Sequence, residues 1–387
     1  MSKKVMIVGA GAAGLVSAIK AAGEGASVTV LEKNDVPGKK LLSTGNGRCN
    51  LTNLDQALSH YRGSEPLFAA GALKRFSMQD TVKFFSDLGI YTVNQDGRLY
   101  PRSGQASQVR DLLVMDARSK GVKIRCRTGV KSIKKSAGGG FDVNVEGYSY
   151  HCDSLILANG SPASAEVPEN SGYALAESFG HHIVPVLPAL VPIITKEKYN
   201  WQGVRTEGFV SLLIDGRRSE GAKGELQLTS YGISGIPVLE ISRFASRALH
   251  EGREVQAVID FFPDYDREGL THLLKIRSEL CPYKNKEELL AGLFPDKLIK
   301  VLCRFEDTAS AIKDFSLNVT GTKGLGQAQV CSGGIVTREV DPFTMESMLC
   351  PGLYFAGEIL DIDGTCGGYN LQWAWSSGAA AGKCAAI

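Results

Sequence analysis

The chain has 387 residues, 43% of them hydrophobic and 22% charged, which is enough for two or three domains and excludes wholesale disorder. Forty-three lysines and arginines balance 41 acids to a net charge of +2, so no global pull toward nucleic acid or an anionic membrane is implied. Average usage of roughly 7% would give about 27 glycines; the chain has 44, clustered in loops, which hints at backbone held close to a ligand.

The nine cysteines are Cys49, Cys126, Cys152, Cys281, Cys303, Cys331, Cys350, Cys366 and Cys384. None lies in a CxxC and no Cys/His spacing suits zinc, so reduced thiols, no metal and a cytoplasmic location are expected. The first apolar run is broken by Gly9 and Gly11, against a signal segment, and no apolar stretch nears the ~18 residues of a membrane span.

In chain order, Val5–Val8 predicts a strand buried on both faces, followed by a small-residue helix to about Ala22 and a second strand, Val28–Leu31, ending at Glu32. From Gly38 to Asn53 the chain is polar, glycine-rich and without period, as in a functional loop. Ser77 with Asp80 predicts a capping box and a helix to about Gly89. Gln105–Lys120 reads as another helix, closed by Gly121. Residues 122–152 alternate as strands, Leu155–Ala158 is a further buried strand, and a short helix is expected near Ala174–Phe179. Prolines at 185, 188 and 192 suggest a domain crossing. Residues 209–214, 225–229 and 255–262 read as strands joined by loops, and 266–312 as helical. The chain returns through Leu353–Ala356, a last buried strand, and Gly364–Gly368 to a final helix, about Asn370–Ala385.

Gly9-x-Gly11-x-x-Gly14 lies between a buried strand and a helix, with Glu32 eighteen residues beyond Gly14. A tight turn followed by an exposed acid would share this spacing, but the full context is that of dinucleotide binding. Gly9 allows the turn, Gly11 lets a pyrophosphate approach, and Gly14 lets helix and strand pack; Glu32 can accept both ribose hydroxyls of an adenosine. Gly321-x-x-Gly324-x-Gly326 follows a polar loop and does not qualify. Leu353–Asp361 resembles the second FAD motif, a strand ending in Gly357-Glu358. Leu155–Gly160 resembles the middle motif of two-dinucleotide-binding flavoproteins.

Three longer stretches, Gly38–Asn53, Ile312–Gly334 and Ala356–Ala374, together resemble the bacterial flavoprotein family named for aminoacetone oxidase, which also contains flavin-dependent reductases of unsaturated 3-oxo bile acids and steroids. The resemblance covers nearly the whole chain and is loosest over 195–310. It implies an α/β fold: a Rossmann-like FAD-binding domain of two-dinucleotide type with an inserted β-rich domain carrying a small helical subdomain. The implied limits are 1–189 and 331–387 for the FAD domain, 190–265 with 313–330 for the β-rich insert, and 266–312 for the helical part.

The resemblance also implies a set of residues around non-covalent FAD. Gly9, Gly11, Ala12, Ala13 and Gly14, with Glu32 and Lys33, form the nucleotide turn. Gly38, Lys39, Lys40 and Ser43 line adenosine and pyrophosphate, and Val130 meets adenine through its backbone. Gly45, Asn46, Gly47, Arg48, Cys49 and Asn50 run along the isoalloxazine. Ala158, Asn159 and Gly160 form the middle motif. Gly357, Glu358 and Asp361 hold the ribitol. Gly367, Gly368, Tyr369, Asn370 and Leu371 open the last helix beneath the ring, its dipole aimed at the N1/C2=O edge. Arg48, Tyr369 and Tyr231 are candidate catalytic or substrate-anchoring groups, with Tyr100 and Arg102 behind them. His181 and His182 are expected to pair with carbonyls of the preceding helix end, Cys49 and Cys366 to pack as small thiols, and the tryptophans to fill core.

The activity expected first is reduction of an activated C=C in a steroid- or bile-acid-like small molecule, with NAD(P)H as transient donor. Oxidation of a small amine such as aminoacetone, with hydrogen peroxide as product, is the alternative. A third reading, of another class, is an FAD-binding protein acting on RNA or a partner.

Overall fold

The computed structural model describes residues 2–164 and 171–387. The chain forms two compact units, 1–186 with 330–387, and 187–329. Among the described residues no helix is long and apolar enough to cross a membrane.

The first unit is built on a parallel five-stranded sheet in the order Leu353–Phe355, Ser154–Leu157, Lys4–Val8, Ser27–Leu31, Lys123–Arg125. Its central strands are near-continuous apolar runs because both faces are covered. The helix Ala12–Gly23 follows the first strand, and Gly25 closes the turn after it at φ +89°. Ser77 caps Met78–Asp87 as the sequence predicts: its Oγ accepts the Asp80 N–H at 3.2 Å, and Asp80 Oδ2 accepts the Ser77 N–H at 2.9 Å.

The last helix, Tyr369–Ala386, lies against Ala12–Gly23 at a distance only glycine permits. A Cβ on Gly378 would come within 2.5 Å of the Ala13 carbonyl oxygen, and one on Gly382 within 2.3 Å of that of Ser17. Ser17 Oγ donates to the Gly378 carbonyl at 2.9 Å. Trp373 Nε1 donates to the Gly357 carbonyl at 3.1 Å and Trp375 Nε1 to that of Leu51 at 2.9 Å. The two indoles therefore do more than fill core: each ties this helix to a glycine-rich loop.

The second unit contains a closed six-stranded barrel, Ile193–Thr195, Gly232–Ser234, Arg217–Leu228, Val204–Ile214, Val255–Asp260 and Phe315–Thr322. The sequence predicts loop over 230–254, yet Ile236–His250 is a helix packed on the barrel strands. Val238, Ile241, Ala245 and Ala248 recur at helical spacing and are all buried. Pro237 at the helix start, where its missing N–H costs nothing, and interleaved serines at 242 and 246 masked that period. The helices Arg267–Leu280, Lys286–Leu290, Asp296–Leu302 and Thr308–Lys313 share one core with the barrel through Leu270, Leu290, Leu298, Leu302 and Ile312.

Candidate functional site

The Gly9–Gly14 turn has the geometry its spacing predicts. Gly9 sits at φ +102°, and a Cβ there would lie 2.4 Å from the Ala158 carbonyl oxygen. A Cβ on Gly14 would lie 1.9 Å from the Gly9 carbonyl oxygen, whereas one on Gly11 meets nothing within 4 Å. Gly11 is the N-cap of a helix with no side-chain cap and no acid in its first turn. Open space thus faces N–H groups that lack partners in the helix, the setting in which a phosphate is bound.

Glu32 is buried and braces this turn from the next strand. Its Oε2 accepts the Ala10 N–H at 2.7 Å; Oε1 accepts the Asn34 N–H at 2.8 Å and Asn34 Nδ2 at 2.6 Å. A carboxylate offers about four lone-pair sites, and three are in use. One site is therefore left for a ribose hydroxyl while the Asn34 amide holds its place, where the sequence reading has Glu32 accept two. Thr128 N–H donates to the Glu32 carbonyl at 2.7 Å, which fixes the segment leading to Val130 beside the exposed Lys33.

The other loops converge on the same turn. Gly38 N–H donates to the Ala10 carbonyl at 2.8 Å, and a Cβ on Gly357 would touch that of Ala13 at 2.9 Å. Lys40 Nζ donates to Glu358 Oε2 at 2.6 Å while Glu358 Oε1 accepts the Cys331 N–H at 3.0 Å. Asp361 is fully buried and takes the Ser64 N–H on Oδ2 at 2.8 Å. Lys39 and Ser43 are exposed. The buried oxygens without a partner among the described residues include Asn50 Oδ1, Asn159 Oδ1, Tyr173 OH and Ser332 Oγ. Burial pushes the Tyr173 phenol well above its usual range, and nearby Cys331, Glu358 and Asp361 push it further. Unpaired buried oxygens cost free energy, and a ligand rich in hydroxyls and phosphates would relieve that cost. These residues fit FAD. Tyr173 and Ser332 carried no motif that marked them in the sequence; only folding sets them beside Glu358.

Gly45–Asn50 is a run of left-handed turns, with Asn46 at φ +55° and Cys49 at φ +61°. Gly368, at φ +102°, is the uncapped start of the last helix, and a Cβ there would crowd Thr52 and Asn50 Oδ1 at 2.8 and 2.9 Å. Several of the expected side chains have partners within the protein. Arg48 is exposed and lies over the Tyr100 ring at 4.6 Å, with its Nη1 donating to Gln95 at 3.2 Å; it is spent on the loop's outer surface. Asn370 clamps the preceding turn, accepting the Gly364 N–H at 2.8 Å and donating to the Gly364 carbonyl at 2.7 Å. Tyr369 is buried, stacked on His60 at 4.1 Å and edge-on to Tyr61 at 5.9 Å; Leu371 packs against the core. Tyr231 belongs to the second unit, where Lys323 lies 4.1 Å over its ring. His181 and His182 do not cap a helix end with their rings. His182 Nδ1 is 2.6 Å from Glu339 Oε1, His181 Nδ1 is 3.3 Å from Glu339 Oε2, and His181 Nε2 is 2.7 Å from Ser347 Oγ.

Burial pushes the thiols of Cys49, Cys152 and Cys331 up to about 12. At pH 8 only about one in ten thousand of each is thiolate, the reactive form. Iodoacetamide at pH 8 is therefore expected to spare all three in the native protein and to modify them after denaturation. Native labelling of Cys49, read by peptide mass spectrometry, would show that its loop opens.

The family model described as the HI0933-like protein Rossmann domain matches residues 3–384. The chain is 42% identical to the 3-dehydro-bile acid delta(4,6)-reductase of Clostridium scindens over 99% of each chain. It is 31% identical to the ribosomal RNA dihydrouridine synthase of Haemophilus influenzae over 96% of each. Among solved structures, the open conformation of a flavocytochrome c3 fumarate reductase has a TM-score of 0.51 at 16% identity, covering 99% of this chain and 78% of that one. The 3-ketosteroid-delta4-(5alpha)-dehydrogenase of Rhodococcus jostii RHA1 has a TM-score of 0.50 at 15% identity, covering 100% and 97%. The chain belongs to the HI0933-like family of FAD-binding Rossmann-fold proteins and is an FAD-dependent oxidoreductase.

Proposed function

We propose that this chain reduces a carbon–carbon double bond conjugated to a carbonyl in a steroid- or bile-acid-like 3-oxo compound, with NAD(P)H as the hydride source. The observation that carries this reading is the 42% identity, across 99% of both chains, with a relative named for that reduction in a 3-dehydro-bile acid. The relatives named as dihydrouridine synthases, 31% and 32% identical, favour the same bond change on another substrate. Dihydrouridine is uridine whose C5=C6 bond, conjugated to the C4 carbonyl, has gained two hydrogens. The net charge of +2 lacks the basic excess on which RNA binding draws, which favours the small molecule. Both names describe hydrogen added to a substrate, opposite in direction to amine oxidation.

FAD, when bound, supplies hydride transfer. The chain's residues hold and tune it. The open N-terminus of Ala12–Gly23 receives the pyrophosphate, and Glu32 has an acceptor site left for a ribose hydroxyl. Glu358, aligned by Lys40 and the Cys331 N–H, and buried Asp361 take the ribitol, with Asn159 and Tyr173 alongside. Gly45–Asn50 and Gly367–Tyr369 would flank the ring, and the positive end of the last helix would favour negative charge on its pyrimidine edge.

The sequence has one dinucleotide fingerprint, and FAD takes it. NAD(P)H and substrate then share one approach, since hydride transfer needs carbon within about 3–3.5 Å of its partner. Steady-state kinetics are expected to be ping-pong, with parallel double-reciprocal lines and substrate competing with NAD(P)H; intersecting lines would refute the shared approach. Under anaerobic mixing, NADH or NADPH should bleach the flavin and an unsaturated 3-oxo bile acid should restore its colour. Bleaching by aminoacetone, or restoration by a uridine-containing ribosomal RNA fragment alone, would overturn the substrate reading.

A further inference from the structure

The short strands Tyr61–Arg62 and Asp363–Gly364 pair antiparallel, with Gly364 opposite Tyr61 and Asp363 opposite Arg62. The next rung sets Thr365 against His60, and the Thr365 N–H donates to the His60 carbonyl at 2.9 Å. The side chains meet as well. His60 Nδ1 is 3.2 Å from Thr365 Oγ1, and His60 Nε2 is 2.9 Å from Asp55 Oδ2. The imidazole lies flat on the Tyr369 ring, 4.1 Å between centroids and 14° between planes, which holds its orientation. Asp55 is anchored in turn: its N–H donates to Asn53 Oδ1 at 3.0 Å, and Asn53 Nδ2 donates to the Gly367 carbonyl at 2.9 Å.

Exposure falls along this series. The Asp55 side chain is 60% exposed and that of His60 28%, while Thr365 as a whole is buried. Three hydrogen-bonding groups thus run from solvent to the loop Thr365–Gly368, which opens the last helix. Neighbouring Tyr61 offers no such route: its hydroxyl is buried, has no partner among the described residues, and burial holds it well above the usual phenol range.

We propose that Thr365 donates the proton that completes the reduction, and that His60, held by Asp55, replaces it. This rests on the reductase reading above. Hydride added to the β-carbon leaves an enolate, whose α-carbon must gain one proton. An ionised carboxylate only accepts, so Asp55 keeps a hydrogen on Nε2. When the imidazole is protonated, Nδ1–H donates to Thr365 Oγ1 and leaves the hydroxyl hydrogen free to point onward. As the α-carbon takes that hydrogen, the Nδ1 hydrogen crosses to Oγ1. One C–H bond forms, the Oγ1–H bond breaks and is remade, and the Nδ1–H bond breaks. His60 is left neutral, and bulk water restores its charge through the exposed edge of the ring. No electrons beyond the hydride pair are needed. His60 and Asp55 are positioning residues; Thr365 alone meets the substrate. The titratable groups around the imidazole are Asp55 on Nε2, Tyr369 on its face, Tyr61 next in the chain, and the Arg62–Asp363 rung beyond.

Two measurements on the full-length, FAD-loaded protein test this. Imidazole NMR should find the Nε2–H form of neutral His60, and Asp55→Asn should shift the neutral ring toward the Nδ1–H form. In the second, anaerobically pre-reduced protein is mixed with an unsaturated 3-oxo steroid and reoxidation is followed against pH. The wild type should slow as pH rises through the NMR-measured pKa of His60. His60→Gln should remove that limb and cost about a hundred-fold, the lower end for general acid catalysis. Asp55→Asn should slow reoxidation, because the ring is no longer held in the Nε2–H form. Thr365→Val should lose the rate, and Thr365→Ser should recover most of it. An unchanged limb in His60→Gln, or a His60 indifferent to Asp55→Asn, would overturn the relay. If the steroid fails to reoxidise the wild type while the imidazole responds as expected, the substrate reading falls and the hydrogen-bonded chain stands.

Discussion

Gly14→Ala is expected to abolish folded, FAD-loaded protein, while Gly11→Ala, three residues earlier, keeps the fold and weakens FAD binding about a hundred-fold. The difference lies in what each added methyl meets. At Gly14 it would sit 1.9 Å from the Gly9 carbonyl oxygen. Gly9 has little room to retreat: it lies so near Ala158 that a Cβ built on it would crowd the Ala158 carbonyl, and its φ of +102° suits only glycine. Overpacking costs about 1–3 kcal/mol where side chains can give way, and more where only backbone is present. Whole-protein stability is about 5–15 kcal/mol, so the change is severe. At Gly11 the methyl meets nothing within 4 Å, and alanine at an N-cap costs under about 1 kcal/mol relative to glycine. That open space is where the pyrophosphate comes nearest the helix N–H groups. Losing one or two charge-assisted hydrogen bonds of about 1.5–3 kcal/mol each gives roughly the stated loss. Thermal melts of the apoprotein and FAD titration by fluorescence separate the two effects. A Gly11→Ala protein that binds FAD as wild type does would show that the pyrophosphate lies elsewhere.

Glu32→Ala should act on the apoprotein as well as on FAD. A plain ribose acceptor would matter only with ligand present. Here the carboxylate also accepts from the fully buried Ala10 N–H and from Asn34. An orphaned buried donor costs about 1–3 kcal/mol, so hydrogen exchange across Ala10–Gly14 should quicken about 10- to 100-fold without FAD. FAD affinity should fall by a similar factor through the lost ribose bond. The checks are exchange mass spectrometry on the apoprotein and cofactor titration. Unaltered apoprotein exchange would reduce Glu32 to a ligand group and remove its structural role.

Much of this molecule is legible in its residues taken locally. The buried strand, glycine turn and acid of the nucleotide unit are fixed by backbone conformation and apolar period over about thirty residues, and the structure agrees with them. The same holds for the Ser77–Asp80 capping box and the last helix, whose signals lie within a few residues of the feature they specify. The helix Ile236–His250 escaped because proline, β-branched residues and serines blur its period, and burial on a closed barrel overrides weak propensity. The roles of single side chains escaped more often. Arg48 and Asn370 stand in motif positions yet spend their hydrogen bonds within the loops, and Tyr173 stands in none yet lies by Glu358. Lys40 meets Glu358 across 318 positions, Ser17 meets Gly378 across 361, and His60 meets Thr365 across 305. Local chemistry dictates where a turn, a cap or a strand must occur. Which donor finds which acceptor is decided when distant segments pack, because a hydrogen bond depends on tenths of an ångström that only the assembled core sets.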